Sequence, residues 1–338
     1  MYLITGGTGL IGSHLILELV KAGHQVRAIY RTEESLVKVK NLLGYYTKDP
    51  EQLFQKIDWV QADIIDIVSL ENAFSGINHV YHCAALISFD PKMYPQLKKC
   101  NVDGTKNIVN LCLKHGVHKL AYVSSIAALG ASSKEEWIDE ETEWNDKNAT
   151  VYGLTKKNAE LEVWRGSQEG LPVVIVNPGV VIGPGFWKSG SGTFFYYAAE
   201  ASKYSLPGGT GFISIHDVID SLLGLMNSNI KNERFVLVDE NATYLDIVGR
   251  IARSMEISPP SKLLGRSKIE VFWRLDWIRS KLFGKNRRLS KNMAKSLFKQ
   301  EYYDASKLKK SLDLTFSGLS PIIDFSSERF KEEFPRYF

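Results

Sequence analysis

Along the first 180 or so residues, short apolar runs rich in β-branched side chains alternate with longer amphipathic segments. The short runs are YLIT (2–5), QVRAIY (25–30), DWVQAD (58–63), HVYHCAA (79–85), KLAYVSS (119–125) and PVVIVNP (172–178). They lack strict polar–apolar alternation, as strands covered on both faces do. Between them lie the helix-like segments GLIGSHLILELVKAG (9–23), EESLVKVKNLL (33–43), SLENAF (69–74), VDGTKNIVNLCLKHG (102–116) and YGLTKKNAELEVWRGSQEG (152–170). This order predicts right-handed βαβ crossovers and an α/β fold with a doubly wound parallel sheet.

After residue 183 the rhythm breaks. GPGFWKSGSGTFF (183–195) and LPGGTG (206–211) read as loop-rich, ERFVLVD (233–239) as one more strand, and the last 90 residues as mainly helical and basic. The expected organisation is a dinucleotide-binding domain at 1–182 and a smaller, mainly helical substrate lobe at 183–338, with some exchange of chain between them. Within the lobe, KIEVFWRLDWIRSKLFGKNRR (268–288) is aromatic and basic together. The expectation is an amphipathic helix packed on the core, its aromatics near a substrate mouth and its basic face in water. An anionic membrane surface is the alternative.

The segment ITGGTGLIGSHLILELV (4–20) places Gly6, Gly9 and Gly12 between a buried strand and an amphipathic helix. Glycine permits a tight turn, close backbone approach to a diphosphate, and close packing of helix on sheet. Unpaired amides and the helix dipole then favour the negative charge. That context selects a Rossmann-type dinucleotide site over a glycine turn without a ligand.

Tyr152 and Lys156 lie four apart, on one helical face. A phenol with a pKa of about 10 is a poor proton shuttle near neutrality, and a neighbouring ammonium would lower it. Tyr94/Lys98 and Tyr303/Lys307 repeat the spacing. Only Tyr152 has the strand-end hydroxyls of Ser124 and Ser125 upstream and the strand PVVIVNP downstream. Pro95 and a place before the serine strand count against Tyr94; Tyr303 lies in EYYDASKLKKSL (301–312), far into the second lobe, a segment that reads as a helix start. His82, on a core strand, reads as a satisfied buried histidine rather than a ligand.

TGGTGLIG (5–12), ADI (62–64), CAA (83–85), NVDGTKNIV (101–109), VSSIAALG (123–130), YGLTK (152–156), NPGVVIGPG (177–185) and ISIHDVID (213–220) follow one another in a single order. In this the chain resembles the extended short-chain dehydrogenase/reductase superfamily, the NAD-dependent epimerase/dehydratase family. VRAIYR (26–31), VSSIAALG and the tail LSKNMAKSLFKQEYYDASKLKKSL (289–312) are most similar to its dihydroflavonol reductase and 3β-hydroxysteroid dehydrogenase-like branch. The resemblance implies Ser125, Tyr152 and Lys156 as catalytic residues, with Lys156 also bonded to the nicotinamide ribose and Asn101 supporting that lysine. It implies cofactor contacts from Gly6, Thr8, Gly9, Leu10, Ile11, Gly12, Arg31, Asp63, Ile64, Ala84 and Ala85. Ser124, Pro178, Val180 and Val181, with Tyr152 and Lys156, complete that set, and His216 and Asp217 would pack the second lobe on the first.

The second strand ends in Tyr30-Arg31, where an acidic side chain would bind a ribose 2′-hydroxyl. Arginine can clamp a 2′-phosphate or stack on adenine, and with the acidic residue missing NADP(H) is favoured over NAD(H); Glu33 or Glu34 reaching back to the ribose would weaken that preference. The expected reaction is reduction of a ketone or aldehyde on a small, apolar substrate, or its reverse. A nucleotide-sugar epimerase with tightly held NAD and a non-enzymatic NADP(H)-binding sensor or assembly protein are the alternatives. Ile126 and Ala127 after Ser125, where dehydratases tend to carry an acidic pair, speak against dehydration.

Composition changes this picture little. The net charge of +4 over 338 residues, with no basic stripe in the first two thirds, argues against nucleic acid. Cys83, Cys100 and Cys112 form neither a disulfide framework nor a metal spacing, which fits a reducing compartment. MYLITGG runs directly into the first strand, and no apolar stretch approaches the roughly 20 residues of a transmembrane helix. The expectations are a cytoplasmic location and, from relatives that pair through helices of the large domain, a homodimer.

Overall fold

A computed structural model describes residues 1–130, 137–145, 149–283, 289, 294 and 297–338. The six β-branched runs become β1 (Tyr2–Thr5), β2 (Val26–Tyr30), β3 (Ile57–Gln61), β4 (His79–His82), β5 (Lys119–Val123) and β6 (Val173–Pro178). The amphipathic segments become α1 (Leu10–Lys21), α2 (Glu33–Tyr46), α4 (Ile67–Ala73), α6 (Gly104–Lys114) and α7 (Val151–Gln168). Two short helices, α3 (Pro50–Gln55) and α5 (Tyr94–Leu97), fill the connections, and α5 runs into a π-helical turn at Lys98–Asp103.

Among the described residues the main sheet has seven strands in the order β10-β6-β5-β4-β1-β2-β3, where β10 is Glu233–Leu237. Its neighbouring strands all pair parallel, with registers such as Ile4↔Ala28, Val123↔Val176 and Phe235↔Val176. The chain leaves β1 towards β2 and β3, then returns to lay β4 on the other side. That reversal opens a crevice at the carboxyl ends of β1 and β4. Alternate residues of each strand feed different cores. Ile4, Ala28, Tyr81, Val123 and Val176 join the core that holds α1 and the later helix 215–227, whereas Leu3, Ile29, Val80, Tyr122 and Ile175 pack with α4, α6 and α7. Burial on both faces is why the strands read as continuous apolar runs.

Beyond β6 lie β7 (Val180–Ile182), α8 (Thr193–Ala199), β8 (Tyr204–Ser205), β9 (Gly209–Ser214), α9 (Ile215–Asn227), β11 (Glu240–Thr243) and α10 (Tyr244–Ser254). β12 (Lys262–Leu263), α11 (Arg266–Phe283), α12 (Ser306–Leu312) and α13 (Leu319–Glu333) follow. A small sheet β11-β9-β7 and a β12-β8 pair belong to this part, while β10 adds to the edge of the main sheet.

Three expectations change here. LPGGTG is not all loop, because its second half starts β9. A Cβ on Gly209 would lie 2.3 Å from the Ala242 carbonyl oxygen and one on Gly211 2.5 Å from Val238 Cγ2, so these glycines serve close packing. Likewise GPGFWKSGSGTFF ends inside α8. The segment 301–312 does hold the expected helix start, α12 at Ser306, while Tyr303 ahead of it forms a β-bridge with Ile138. Finally, α11 does not bury its apolar side. Ile269 and Ser280 are buried, yet Val271, Phe272, Leu275, Trp277, Ile278 and Leu282 are exposed. Residues 284–288 of that motif, and 290–293, 295 and 296 of the tail, lie outside the described residues.

Candidate active site

The turn after β1 is built for close approach. Gly6 has φ +68°, and a Cβ there would sit 2.6 Å from the Ala84 amide nitrogen. One on Gly12 would sit 2.2 Å from the Gly6 carbonyl oxygen. Gly9 differs, because its Cβ would meet nothing nearer than that same oxygen at 3.4 Å. Gly6 and Gly12 are therefore demanded by packing, whereas Gly9 keeps open the space at the start of α1. As N-cap, Gly9 also offers no side chain to the first-turn amides. Thr8, Leu10 and Ile11 are half-buried around it. First-turn amides without intrahelical partners, a positive helix end and a cradle that a Cβ would fill suit a dinucleotide diphosphate.

At the outer end of the crevice Tyr30 Oη donates to Glu33 Oε1 at 2.8 Å, and Glu34 is held below the usual carboxylate range by its own amide and the Thr32 hydroxyl. Both carboxylates are thus engaged locally. Arg31 is exposed and, with Lys99, Ala85, Leu86 and Cys100, lines a cleft of about 220 Å³. Asp63 is half-buried, its Oδ1 accepting from the Ile65 amide at 3.2 Å. Ile64 is buried and fills the space over Gly104, where a Cβ would lie 2.6 Å from its Cδ1. The Ala84 amide donates to Thr5 Oγ1 at 3.2 Å.

Ser125 lies just past β5, half-buried, and its Oγ accepts from the Ala127 amide at 3.1 Å to cap a 3₁₀ turn over Ile126–Ala128. The start of α7 rests on this turn. Thr150 caps the helix through the Gly153 amide at 3.0 Å, and a Cβ on Gly153 would fall 2.4 Å from the Ala127 carbonyl oxygen. That contact brings the buried Tyr152 towards Ser125, whose hydroxyl is near enough to act on the phenol's titration. Phe89 meets the Tyr152 ring edge-on, with centroids 5.7 Å apart. Lys156, only 1% exposed, donates to the Val123 carbonyl at 2.7 Å and sits 4.5 Å from the Tyr122 ring centroid.

The electrostatics depart from the sequence expectation of a phenol made acidic by the lysine. Burial pushes the Tyr152 phenol up to about 12, with the Ser125 hydroxyl pulling the other way. Burial likewise pushes the Lys156 ammonium down to about 8, partly offset by Glu160. In a closed pocket, desolvation penalises both charged forms more than their neighbours favour them.

Glu160, two turns after Tyr152, is a residue the sequence reading passed over. It is fully buried; Oε1 accepts from Ser124 Oγ at 2.5 Å and from Asn177 Nδ2 at 2.6 Å, and Oε2 pairs with Arg234 at 3.2 Å. Asn177 Nδ2 also donates to the Ser125 carbonyl at 2.9 Å. One carboxylate therefore ties α7 to β5, β6 and β10. Its signal was the 152/156/160 spacing on one helical face.

A second buried chain runs from the glycine turn to the same helix. Thr5 Oγ1 lies 2.6 Å from His82 Nδ1, and His82 Nε2 lies 2.9 Å from Thr105 Oγ1. Thr105 donates to the Asn101 carbonyl, Asn101 Nδ2 to Thr155 Oγ1, and Thr155 Oγ1 to the Tyr152 carbonyl at 2.6, 3.1 and 2.9 Å. His82 is thus a satisfied core residue, held neutral by burial, which lowers its pKa to about 3. Asn101, from the π-turn, bonds both backbone groups of Leu86 and the Thr155 hydroxyl.

The remaining candidates have local roles in the protein alone. Ser124 Oγ faces Glu160; Pro178 is buried at the end of β6; Val180 and Val181 are half-buried in β7, paired with Phe212 and Ile213. Tyr94 is half-buried with Lys98 exposed, whereas Tyr303 donates to Glu301 and Lys307 pairs with Glu233. His216 Nε2 lies 3.4 Å from Tyr46 Oη, joining α9 to α2, and Asp217 accepts from the Ser317 amide at 2.9 Å.

Two outcomes are expected. Glu160→Ala removes the carboxylate shared by Arg234, Ser124 and Asn177, and denaturant melts should show a loss of about 3–5 kcal/mol; a loss within experimental error would contradict the network. Lys156 releases its proton at about 8 when folded, against an ordinary value of 10.5. Between those values the unfolded chain binds more protons, so this group makes stability rise with pH and its contribution is lost as pH falls through 8. Lys156→Met should flatten that limb of the stability–pH curve, and an unchanged slope would contradict the assignment.

The model of the NAD dependent epimerase/dehydratase family matches residues 2–236. A putative dihydroflavonol 4-reductase of Synechocystis sp. is 28% identical over 94% of this chain and 91% of its own length. Sterol demethylase protein B of Methylococcus capsulatus is 27% identical over 75% of this chain and 73% of its own. Among solved structures, a UDP-glucuronic acid 4-epimerase from Bacillus cereus in complex with NAD superimposes with TM-score 0.74 over 98% of both chains, at 19% identity, a likeness of fold. The chain belongs to the NAD dependent epimerase/dehydratase family of NAD(P)-dependent extended short-chain dehydrogenase/reductase enzymes, and is similar to the dihydroflavonol reductases among them.

Proposed function

We propose that the protein is an NADP(H)-dependent oxidoreductase that reduces a ketone or aldehyde on a small apolar substrate, or oxidises the corresponding alcohol. The observation that carries this reading is the Ser125–Tyr152 hydroxyl pair beside buried Lys156, at the same sheet edge as the open cradle of Gly9. In this reading residues 1–182 hold cofactor and catalytic groups and residues 183–338 shape the substrate cavity.

A bound nicotinamide supplies or accepts the hydride. Ser125 and Tyr152 present two hydroxyls to one carbonyl oxygen, fixing its direction. A phenol pushed up to about 12 carries its proton throughout the neutral range, so Tyr152 is loaded as the donor to that oxygen. Lys156 adds a cation whose charge favours the phenolate left behind. Phe89 and Ile87, both exposed beside the site, give its mouth an apolar wall. The reductase and sterol-protein names of the two relatives support a substrate of that kind.

Preference for NADP(H) is supported by Arg31 and Lys99 on one cleft, with Glu33 and Glu34 engaged by Tyr30 and Thr32. An epimerase reading lacks the acidic residue that would hold the ribose of a resident NAD.

Ketone turnover with NADPH should exceed that with NADH. Tyr152→Phe should lower it by about 10²–10⁴-fold while NADPH affinity, followed by fluorescence, stays within about twofold. Retained turnover in that variant removes Tyr152 from the reaction, and preference for NADH removes the 2′-phosphate role of Arg31.

A further inference from the structure

An amphipathic helix on a globular protein ordinarily turns its apolar stripe inward. In α11 the stripe faces out. Val271, Leu275, Ile278 and Leu282 follow the spacing of one helical face, with Phe272 beside them, and these five are 43–71% exposed. The opposite side carries Ile269 and Ser280, 1% and 2% exposed, which seat the helix on the protein. The outward stripe runs for about 16 Å, at roughly 1.5 Å per residue.

Charge distinguishes what could cover it. Residues 262–283 contain six lysines and arginines against Glu270 and Asp276. The whole chain has 42 basic and 38 acidic residues, so the remainder holds 36 of each, and the entire excess of +4 falls on this stretch. At 100° per residue, Lys268 and Arg279 flank the stripe on one side and Arg274 and Lys281 on the other. Trp277 lies under Lys281, whose Nζ is 5.2 Å from its ring. Long basic side chains beside an apolar strip can lay their stems on it and lift their charges to a phosphate layer. A second copy of the chain would bring two faces of equal positive charge together, which opposes self-association here.

We propose that α11 docks the protein on an anionic phospholipid surface, lying in the headgroup layer rather than crossing it. Among the described residues no helix is long and apolar enough to span a membrane. The seated side of the same helix is joined to the loop at the mouth of the site. Lys92 Nζ donates to Ser280 Oγ at 3.1 Å, and the loop before Lys92 carries exposed Ile87 and Phe89, the latter against Tyr152. Docking would bring that mouth to a surface where apolar molecules collect; this consequence, unlike the docking, rests on the reductase reading.

The test is flotation of the full-length protein with phosphatidylcholine vesicles and with phosphatidylcholine–phosphatidylserine vesicles, at low and high salt. The wild-type protein should float with the anionic vesicles at low salt and much less at high salt or with neutral lipid. The triple variant Phe272→Glu, Leu275→Glu, Ile278→Glu should bind at least about tenfold less. Because the three positions are exposed, its circular dichroism and melting should match the wild type. Tyr152→Phe should float like the wild type whatever it does to turnover, which separates this proposal from the reaction. Wild-type protein remaining with the unbound fraction, the folded triple variant floating equally well, or a wild-type dimer dissolved by the triple variant would each overturn it.

Discussion

Glu160 has no exposed surface, and it is tolerated in the interior because the Ser124 hydroxyl, the Asn177 amide and the Arg234 guanidinium surround its two oxygens. A buried carboxylate without such partners would cost several kcal/mol. Those partners come from the ends of β5 and β6 and from β10, so the carboxylate fixes α7 against three strands at once. Asn177 passes the constraint on to the Ser125 backbone. One turn up from Glu160 lies Lys156 and one further lies Tyr152. The arrangement of phenol, ammonium and serine hydroxyl is thereby held by a group that never needs to meet substrate.

The second buried chain, from Thr5 through His82, Thr105, Asn101 and Thr155 to the Tyr152 backbone, joins the glycine turn to the same helix. Polar networks of this kind specify one geometry when every member is satisfied. Between the two networks Tyr152 and Lys156 are both buried, which is why desolvation dominates the titration of each. The phenol is kept neutral and the ammonium weakened, a starting state suited to delivering a proton rather than receiving one.

Much of this was legible in the chain. Strands buried on both faces leave unbroken apolar runs, and the βαβ order follows from their alternation, so the sheet could be read directly. The tyrosine and lysine were legible because helical spacing makes them neighbours. Periodicity says less about which way a face points: α11 carries the pattern of a core helix, yet its stripe looks outward. The direct contacts of Asn101 with Leu86 and Thr155, made from a π-turn, are not encoded in spacing either. Gly209 and Gly211 resemble loop residues in composition, but they are glycine because Ala242 and Val238 press on them. Phe89, the apolar wall over Tyr152, stands in a loop with no periodic signal at all.

The central claim is that Ser125, Tyr152 and Lys156 converge on one bound nicotinamide at the crevice of the sheet. A crystal structure with NADP⁺ bound tests it most directly. The account predicts the diphosphate on the amides that follow Gly9, and the Tyr152 and Ser125 hydroxyls on the same side of the nicotinamide ring within hydrogen-bond reach of each other. It also predicts Lys156 Nζ, now on the Val123 carbonyl, turned to the ribose. A nicotinamide lying elsewhere, or those two hydroxyls facing separate environments, would contradict it.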